Sequence, residues 1–376
     1  MSIRASAPAA LALLLAGCGS QSAAVETTAA STLYVRADTN ATTVWTPRQQ
    51  IATRIADTAG LEAALAIDAW TSASIDIVTA ATRNLTTGEQ HYVSEVRKEV
   101  TAGAYYEAGI ATFSGGYRYS TENDYWSHGG VGNLTLDLAE KNTTLVISVL
   151  GSKDEVGRAG DRYWRAPQSS LGGRLSFTQV LDTKSWLQLS WETTRIAGYQ
   201  ASPYRYVAIG GAGTCGSLAP FCLPEVVPDE RWRSAAVLRG RRAFGSIVSL
   251  GLEYRFYFDD WGLYSHTILP DLQLLLGDHG TLGLSYRYYT QSEADFYRPR
   301  YLNGPALGYL TRDRELSALY SNRVGLSYSH ELHVKQHTTL TLGARLGLTR
   351  FKYLAFVGLS QVDALEATGL FGLGFR

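Results

Sequence analysis

The sequence predicts an all-β protein, a closed antiparallel transmembrane β-barrel. Three observations carry that expectation. Long segments alternate apolar and polar residues. The connections between them alternate between tight turns and longer loops. An export signal stands at the amino terminus, and no later apolar run is long enough for a spanning helix.

The amino terminus comes first. Arg4 gives it positive charge, and Ala9 to Ala16 is a short apolar core. A helix needs about 20 apolar residues to span a bilayer, so this segment reads as a targeting signal. It ends in Leu15-Ala16-Gly17-Cys18, which is similar to the lipobox of bacterial lipoproteins. That similarity implies lipid on Cys18, with ordinary secretory cleavage as the alternative. The expected organisation is a signal peptide over 1–17, a lipidated tether and lead-in over 18–48, and a barrel over 49–376.

Alternation from Gln49 onward supports the barrel. Val248, Leu250, Leu252, Tyr254 and Phe256 oppose Ser249, Gly251, Glu253, Arg255 and Tyr257. Leu282, Leu284, Tyr286 and Tyr288 form another face, as do Leu340, Leu342, Ala344, Leu346 and Leu348. A period of two puts each set on one side of a strand. In hydrocarbon every backbone polar group must be paired internally, so such a sheet has to close.

The connections give an independent signal. Tight turns are expected near Thr58-Ala59, Glu107-Ala108, Glu140-Lys141, Asp182-Thr183, Ala243-Phe244, Asp278-His279, Lys335-Gln336 and Asp363-Ala364. Longer linkers are expected near 71–90, 120–127, 154–168, 198–229, 258–261, 292–315 and 351–353. Outer-membrane barrels have short periplasmic turns and longer outer loops, so the pattern predicts about sixteen strands, with about fourteen as the alternative. Both termini then lie on the periplasmic side.

Composition agrees. Charged residues make up 18% of the chain, with 34 basic and 34 acidic. A nucleic-acid binder would carry a basic surplus to meet phosphate, so none is expected. The chain holds 37 Gly and 23 Tyr. Tyrosine suits the membrane–water boundary, where its ring is apolar and its tip is wet.

Dispersed motifs then point to a family. They include Asp68-Ala69-Trp70-Thr71-Ser72-Ala73-Ser74-Ile75-Asp76, Glu122-Asn123-Asp124-Tyr125, Lys141-Asn142-Thr143-Thr144, Thr178-Gln179-Val180-Leu181 and Gly198-Tyr199-Gln200-Ala201-Ser202-Pro203-Tyr204-Arg205. Further along stand Pro224-Glu225, Tyr254-Arg255, Asp259-Asp260-Trp261-Gly262, Ser265-His266-Thr267, Tyr286-Arg287-Tyr288-Tyr289, Ala294-Asp295-Phe296-Tyr297 and Asp313-Arg314-Glu315-Leu316-Ser317. From about Asp38 to Glu315 the chain resembles the bacterial outer-membrane family called domain of unknown function 3570. The resemblance implies an outer-membrane barrel and no particular activity. Two features depart from its pattern: the lipobox, and a chain end at Arg376 with Phe375 only penultimate.

Two charged groups are candidate functional residues. The alternation places Glu95, Arg97, Glu253, Arg255, Arg287 and Arg345 in an expected inward network that either fills the lumen or sorts solutes. Glu99, Arg174, Glu192, Arg231, Arg233, Arg239 and Glu331 fall on the same side. The second group sits in or beside the predicted outer loops: Asp124, Arg205, Asp259, Asp260, Trp261, Asp295, Tyr297, Asp313, Arg314 and Glu315. Asp259, Asp260, Asp295 and Asp313 are expected to converge at the outer mouth, with Arg205 and Arg314 beside them. There they would bind a solute or a hard cation, or pair with one another to fix the loops.

Cys215 and Cys222 share one predicted loop of an exported chain, which predicts a disulfide. No G-x-S-x-G, Walker loop or H-E-x-x-H occurs. Ser265-His266 and Ser329-His330 point to opposite faces of a strand and make no dyad, and His330 and His333 likewise diverge. No enzyme activity, cofactor or metal site is expected. The expected partners are outer-membrane lipid, the barrel-assembly and lipoprotein-export machineries, and a solute or cation at the outer mouth. A porin-like channel is the leading functional expectation. The others are a closed structural or surface-binding barrel and an outer-membrane lipid hydrolase.

Overall fold

The computed structural model describes residues 26–56, 58–72, 93–158, 161–211, 215, 221–302, 308–335 and 337–375. The signal peptide, Cys18 and the motif residues 73–76 lie outside them. The strands run β1 (Glu26–Asp38), β2 (Thr42–Ala56), β3 (Ala59–Ser72), β4 (Val93–Ala108), β5 (Ala111–Thr121), β6 (Tyr125–Leu138), β7 (Thr143–Arg158), β8 (Asp161–Asp182) and β9 (Ser185–Gly198). A small hairpin follows, β10 (Tyr206–Ile209) and β11 (Phe221–Pro224). Then come β12 (Glu230–Phe244), β13 (Val248–Asp259), β14 (Tyr264–Leu276), β15 (Gly280–Gln291), β16 (Leu319–Lys335), β17 (Thr338–Tyr353) and β18 (Gln361–Phe375).

Sixteen of these strands close into one antiparallel barrel, and β10–β11 stands apart as a separate two-stranded sheet. Closure is made by β1, which pairs with β2 on one side and with β18 on the other, from Thr27↔Phe375 to Asp38↔Ala364. No sheet edge is left to meet lipid, which is the condition for crossing a bilayer with strands. Two prolines locally interrupt the ladder. The β2–β3 register skips from Trp45↔Ala69 to Arg48↔Ala66 around Pro47, and the β14–β15 register skips from Ile268↔Tyr288 to Asp271↔Ser285 around Pro270. A proline has no N–H to donate there.

Outward residues are apolar. Leu252 is 55% exposed and Leu348 is 64% exposed, values that would be costly in water but suit a wall facing lipid. Exposed aromatics gather at both rims: Tyr106, Phe113, Phe244 and Phe375 at the turn end, and Trp45, Trp232, Phe258 and Tyr264 at the loop end. These are the positions of interfacial girdles.

The ends of the chain differ from expectation. Residues 26–48 were expected in the tether, yet β1 and the first part of β2 are barrel strands. The segment is rich in Thr and Ala and lacks a strong apolar alternation, so its strand character comes from two neighbours that need a partner. The turn expected at Asp363-Ala364 lies inside β18, and the return instead occupies 354–360 at the loop end. The linker expected over 154–168 is mostly strand, because β7 and β8 run on past their neighbours. The linker expected over 351–353 is likewise the end of β17.

Candidate functional site

Three loops at one end of the barrel fold over its mouth. Residues 199–229 carry the β10–β11 hairpin, and residues 292–318 carry a 3-10 turn, Arg314–Leu316. Isolated bridges join them, Ile209↔Tyr301 and Val226↔Leu310. Val207, Ile209 and Leu310 make one small apolar knot between them. Trp261, Leu263, Ala294, Tyr297, Leu316 and Phe356 make another, which brings in the 354–360 loop. Arg312 adds a hydrogen bond from Nη2 to the Val357 carbonyl at 2.8 Å and stacks over Phe356.

Buried carboxylates hold this cap together. Asp259 accepts from the Trp261 N–H at 3.0 Å, the Leu263 N–H at 3.1 Å and the Tyr257 hydroxyl at 2.7 Å. It also accepts from Arg231 Nε at 3.0 Å, with the Asp259 side chain fully buried and that of Arg231 9% exposed. Gly262 takes a φ of 79°, a conformation that favours glycine, and so closes this turn. Glu225 accepts from the Ser202 N–H at 2.7 Å, from Arg205 Nη1 at 2.9 Å and from the Thr311 hydroxyl. Burial pushes the Glu225 carboxyl above the usual carboxylate range, and Arg205 opposes the rise.

The predicted outer-mouth residues therefore divide. Arg205 meets Asp313 at 3.1 Å as well as Glu225. Asp259 sits apart on Arg231 and Trp261. Asp260 is exposed and accepts from the Trp232 N–H at 2.9 Å. Asp295 is exposed beside Gly262. Among the described residues the four aspartate carboxylates share no common partner. Asp259 and Asp313 accept from backbone N–H groups of their own turns, Asp313 from Glu315 at 2.9 Å, because an aspartate reaches its near N–H groups first, whereas Asp260 reaches across to β12. Tyr297 is buried in the second knot, where burial pushes its hydroxyl above the ordinary tyrosine range.

Asp124 joins a different group. Its carboxylate, with those of Glu95 and Glu122, places three oxygens within 4.8 Å of one another. Such a set has the chemistry of a hard-cation ligand, but here Tyr204 bonds Asp124 and Arg97 stands 3.8 Å from Glu122. Burial is the main reason that the Glu122 carboxyl is raised above its usual range.

The inward network is placed as follows. Arg97 bonds Ser120 at 2.7 Å and Glu99 at 3.2 Å. Glu253 pairs with Arg239 at 2.6 Å. Arg255 and Arg174 share Glu192. Among the described residues no carboxylate lies within ion-pair distance of Arg287 or Arg345. Arg287 lies over the Tyr289 ring, 5.0 Å from its centroid.

Under the cap lies a cavity of about 750 Å³. Its walls are inward residues of the barrel, among them Arg255, Tyr257, Arg287 and Tyr289, and its roof includes Glu225, Asp313 and Glu315. Charge is unevenly placed around the lumen. The carboxylate trio belongs to β4 and the β5–β6 loop. Arg287 is on β15, which lies directly across the ring of sixteen strands from β5.

Three residues of the wall escape the sequence pattern. Arg323 bonds Glu366 at 2.8 Å, and Arg36 faces Glu366 across β1–β18. Arg36 was hidden because its strand resembled a tether, and Glu366 because a turn was expected three residues before it. Arg323 lay within recognisable alternation and carried no separate signal.

Comparison with known proteins gives the following. The family model described as "Protein of unknown function (DUF3570)" matches residues 5–170 and 165–346. No curated protein matches the sequence. Among solved structures, a bacterial polysaccharide outer membrane secretin is similar over 94% of this chain and 98% of its own, at 9% identity and a TM-score of 0.50. The siderophore receptor PirA from Pseudomonas aeruginosa is similar over 92% of this chain and 80% of its own, at 8% identity and a TM-score of 0.42. A mutant of the monoaromatic hydrocarbon channel TodX is similar over 93% of this chain and 90% of its own, at 11% identity and a TM-score of 0.43. At these identities the likeness is one of fold, that of outer-membrane barrels.

Proposed function

The chain belongs to the DUF3570 family, and for this member we propose a porin-like channel in the outer membrane, with the loop end outside and both termini periplasmic. One observation carries the reading: a charged cavity of about 750 Å³ inside the closed ring of strands, roofed by loops. A pore needs such groups to replace part of a solute's hydration. Planar-bilayer recording with size-graded solutes tests it. Discrete current steps are expected, and a folded protein that never conducts would overturn the reading.

A second reading has its own support. The cap is tied by buried ion pairs and two apolar knots, which suits a closed structural or surface-binding barrel. We also propose that Cys18 is lipidated. Seven residues separate it from β1, and a chain of that length reaches at most about 25 Å, which holds a lipid close to the periplasmic leaflet. Intact-mass measurement of the mature chain checks this. An amino terminus beyond Cys18, or one at Cys18 without acyl mass, would contradict it. We propose outer-membrane lipid and the assembly and lipoprotein-export machineries as partners, and no enzymatic role. Ser265 lines the cavity, whereas His266 bonds the Tyr254 hydroxyl at 2.8 Å.

A further inference from the structure

The cavity beneath the cap is lined by more guanidinium groups than carboxylates. Arg36, Arg231, Arg233, Arg255, Arg287 and Arg314 line it, against Glu225, Asp313 and Glu315. Glu225 and Asp313 are both engaged by Arg205. Three of the lining arginines have carboxylates of their own: Arg231 has Asp259, Arg255 has Glu192, and Arg36 has Asp38. Arg233 and Arg287 have no ion-pair partner among the described residues, and Arg233 Nε is buried with no hydrogen-bond partner.

The strand register sharpens the imbalance. Arg287 on β15 stands directly opposite Arg323 on β16. Like charges opposite each other on a ladder are destabilising. Glu366 forms its ion pair with Arg323, which reaches it across Gly347, where a side chain would meet the guanidinium, and Glu366 is not within ion-pair distance of Arg287. A guanidinium cannot shed its charge by losing a proton, so Arg287 and Arg233 keep theirs inside the barrel. A partly buried charge of this kind calls for a counter-charge.

We infer that the chamber is a binding station for small oxyanions, solutes whose carboxylate or phosphate groups are held by Arg233 and Arg287. The guanidinium fork matches both oxyanions and takes either through paired N–H donors. Tyr289 and Tyr257 flank the arginines and add ring faces, their hydroxyls being donated to Gln291 and Asp259. A cation would be repelled here, and a neutral sugar would leave both charges unmet. The inference rests on the channel reading for its consequence, selective passage, but binding is measurable without passage.

The test has two arms, both on the full-length protein in its folded, heat-modifiable form. In planar bilayers under a potassium chloride gradient, the reversal potential is expected to report anion preference. Citrate and inorganic phosphate added to the bath serve as carboxylate and phosphate probes, and sucrose as the neutral control. Block by citrate, by phosphate or by both supports the proposal and names the oxyanion. In detergent, calorimetric titration with the same three compounds measures binding directly. Arg233→Gln and Arg287→Gln are each expected to weaken binding or block about tenfold, the scale of one lost charge-assisted hydrogen bond. Arg287→Lys keeps the charge and is expected to retain anion preference. Binding without current would keep the oxyanion site and remove the channel. Current that is cation-selective or unselective, with no binding of citrate or phosphate, would overturn the oxyanion site and keep the channel. Glutamine variants that fold and bind as tightly as wild type would also overturn it.

Discussion

The wall and the cap of this protein are built by different means. In the wall, all but a few residues have backbone partners on two neighbouring strands, and side chains need only alternate. In the cap, short segments far apart in sequence are joined by single side chains: Glu225 links residues 202, 205 and 311, and Asp259 links 231, 257, 261 and 263. The wall is thus a redundant structure and the cap is not. Losing one group in the wall removes one contact, whereas losing one carboxylate in the cap unties several segments together.

Asp259→Ala is the sharpest way to break the comparison. It leaves Arg231 buried without its counter-charge, a change that costs about 3–5 kcal/mol when a buried pair loses one member. Limited proteolysis should then cut the outer loops, while the heat-modifiable gel mobility of the barrel persists. Simultaneous loss of both would mean that cap and wall are one cooperative unit.

The corresponding injury to the wall is Leu326→Arg. Leu326 is 48% exposed near the middle of β16. A charge facing lipid near the midplane costs about 2–4 kcal/mol. The barrel should unfold at lower urea with its loop cleavage pattern unchanged. An unchanged urea midpoint would place this face away from hydrocarbon.

Cys215 and Cys222 offer a smaller effect. Their Cα atoms lie 6.0 Å apart, with the sulfurs facing each other. A bridge over so short a loop contributes roughly 2–3 kcal/mol of local restraint. Cys215→Ser with Cys222→Ser should quicken nicking in the 199–229 loop without altering barrel mobility. Two reactive thiols in denatured, unreduced wild-type protein would show that no bridge forms.

The smallest effect is one of pH. Burial raises the Glu225 carboxyl, so the folded cap holds its proton more tightly than the open chain does. That contribution is fully present below the ordinary glutamate value of about 4.3, and it is lost as pH rises through the raised value. Mild acid therefore should not loosen the cap through Glu225. Faster nicking of the 199–229 loop at mildly acid pH, absent in Glu225→Gln, would contradict the assignment.

The same contrast explains what was legible in the sequence. Wall strands such as Val248–Asp259 announce themselves by a period of two, and the inward side of Arg255 and Arg287 follows directly. The count of sixteen also follows from the sequence, although by two offsetting differences. The sequence pattern assigns the first strand, Glu26–Asp38, to the tether and divides the last, Gln361–Phe375, by a turn at Asp363. Both lie at the closing seam, where β1 supplies weakly patterned residues and partnership with β18 decides the outcome. The cap carried no period. Its polar residues were recognised as a group, but their partners depend on loop paths: Arg205 meets Asp313 while Asp260 and Asp295 turn outward. Arg36 and Glu366 were lost with their strands, and with them the guanidinium excess of the chamber.

Single-channel recording of wild type and Asp259→Ala, side by side, tests the central claim that a capped lumen conducts. Discrete steps are expected from the wild type, and larger or longer openings from the variant, whose roof is untied. If both proteins are folded by gel mobility and neither passes current, the lumen is closed by its own wall and the channel account is wrong.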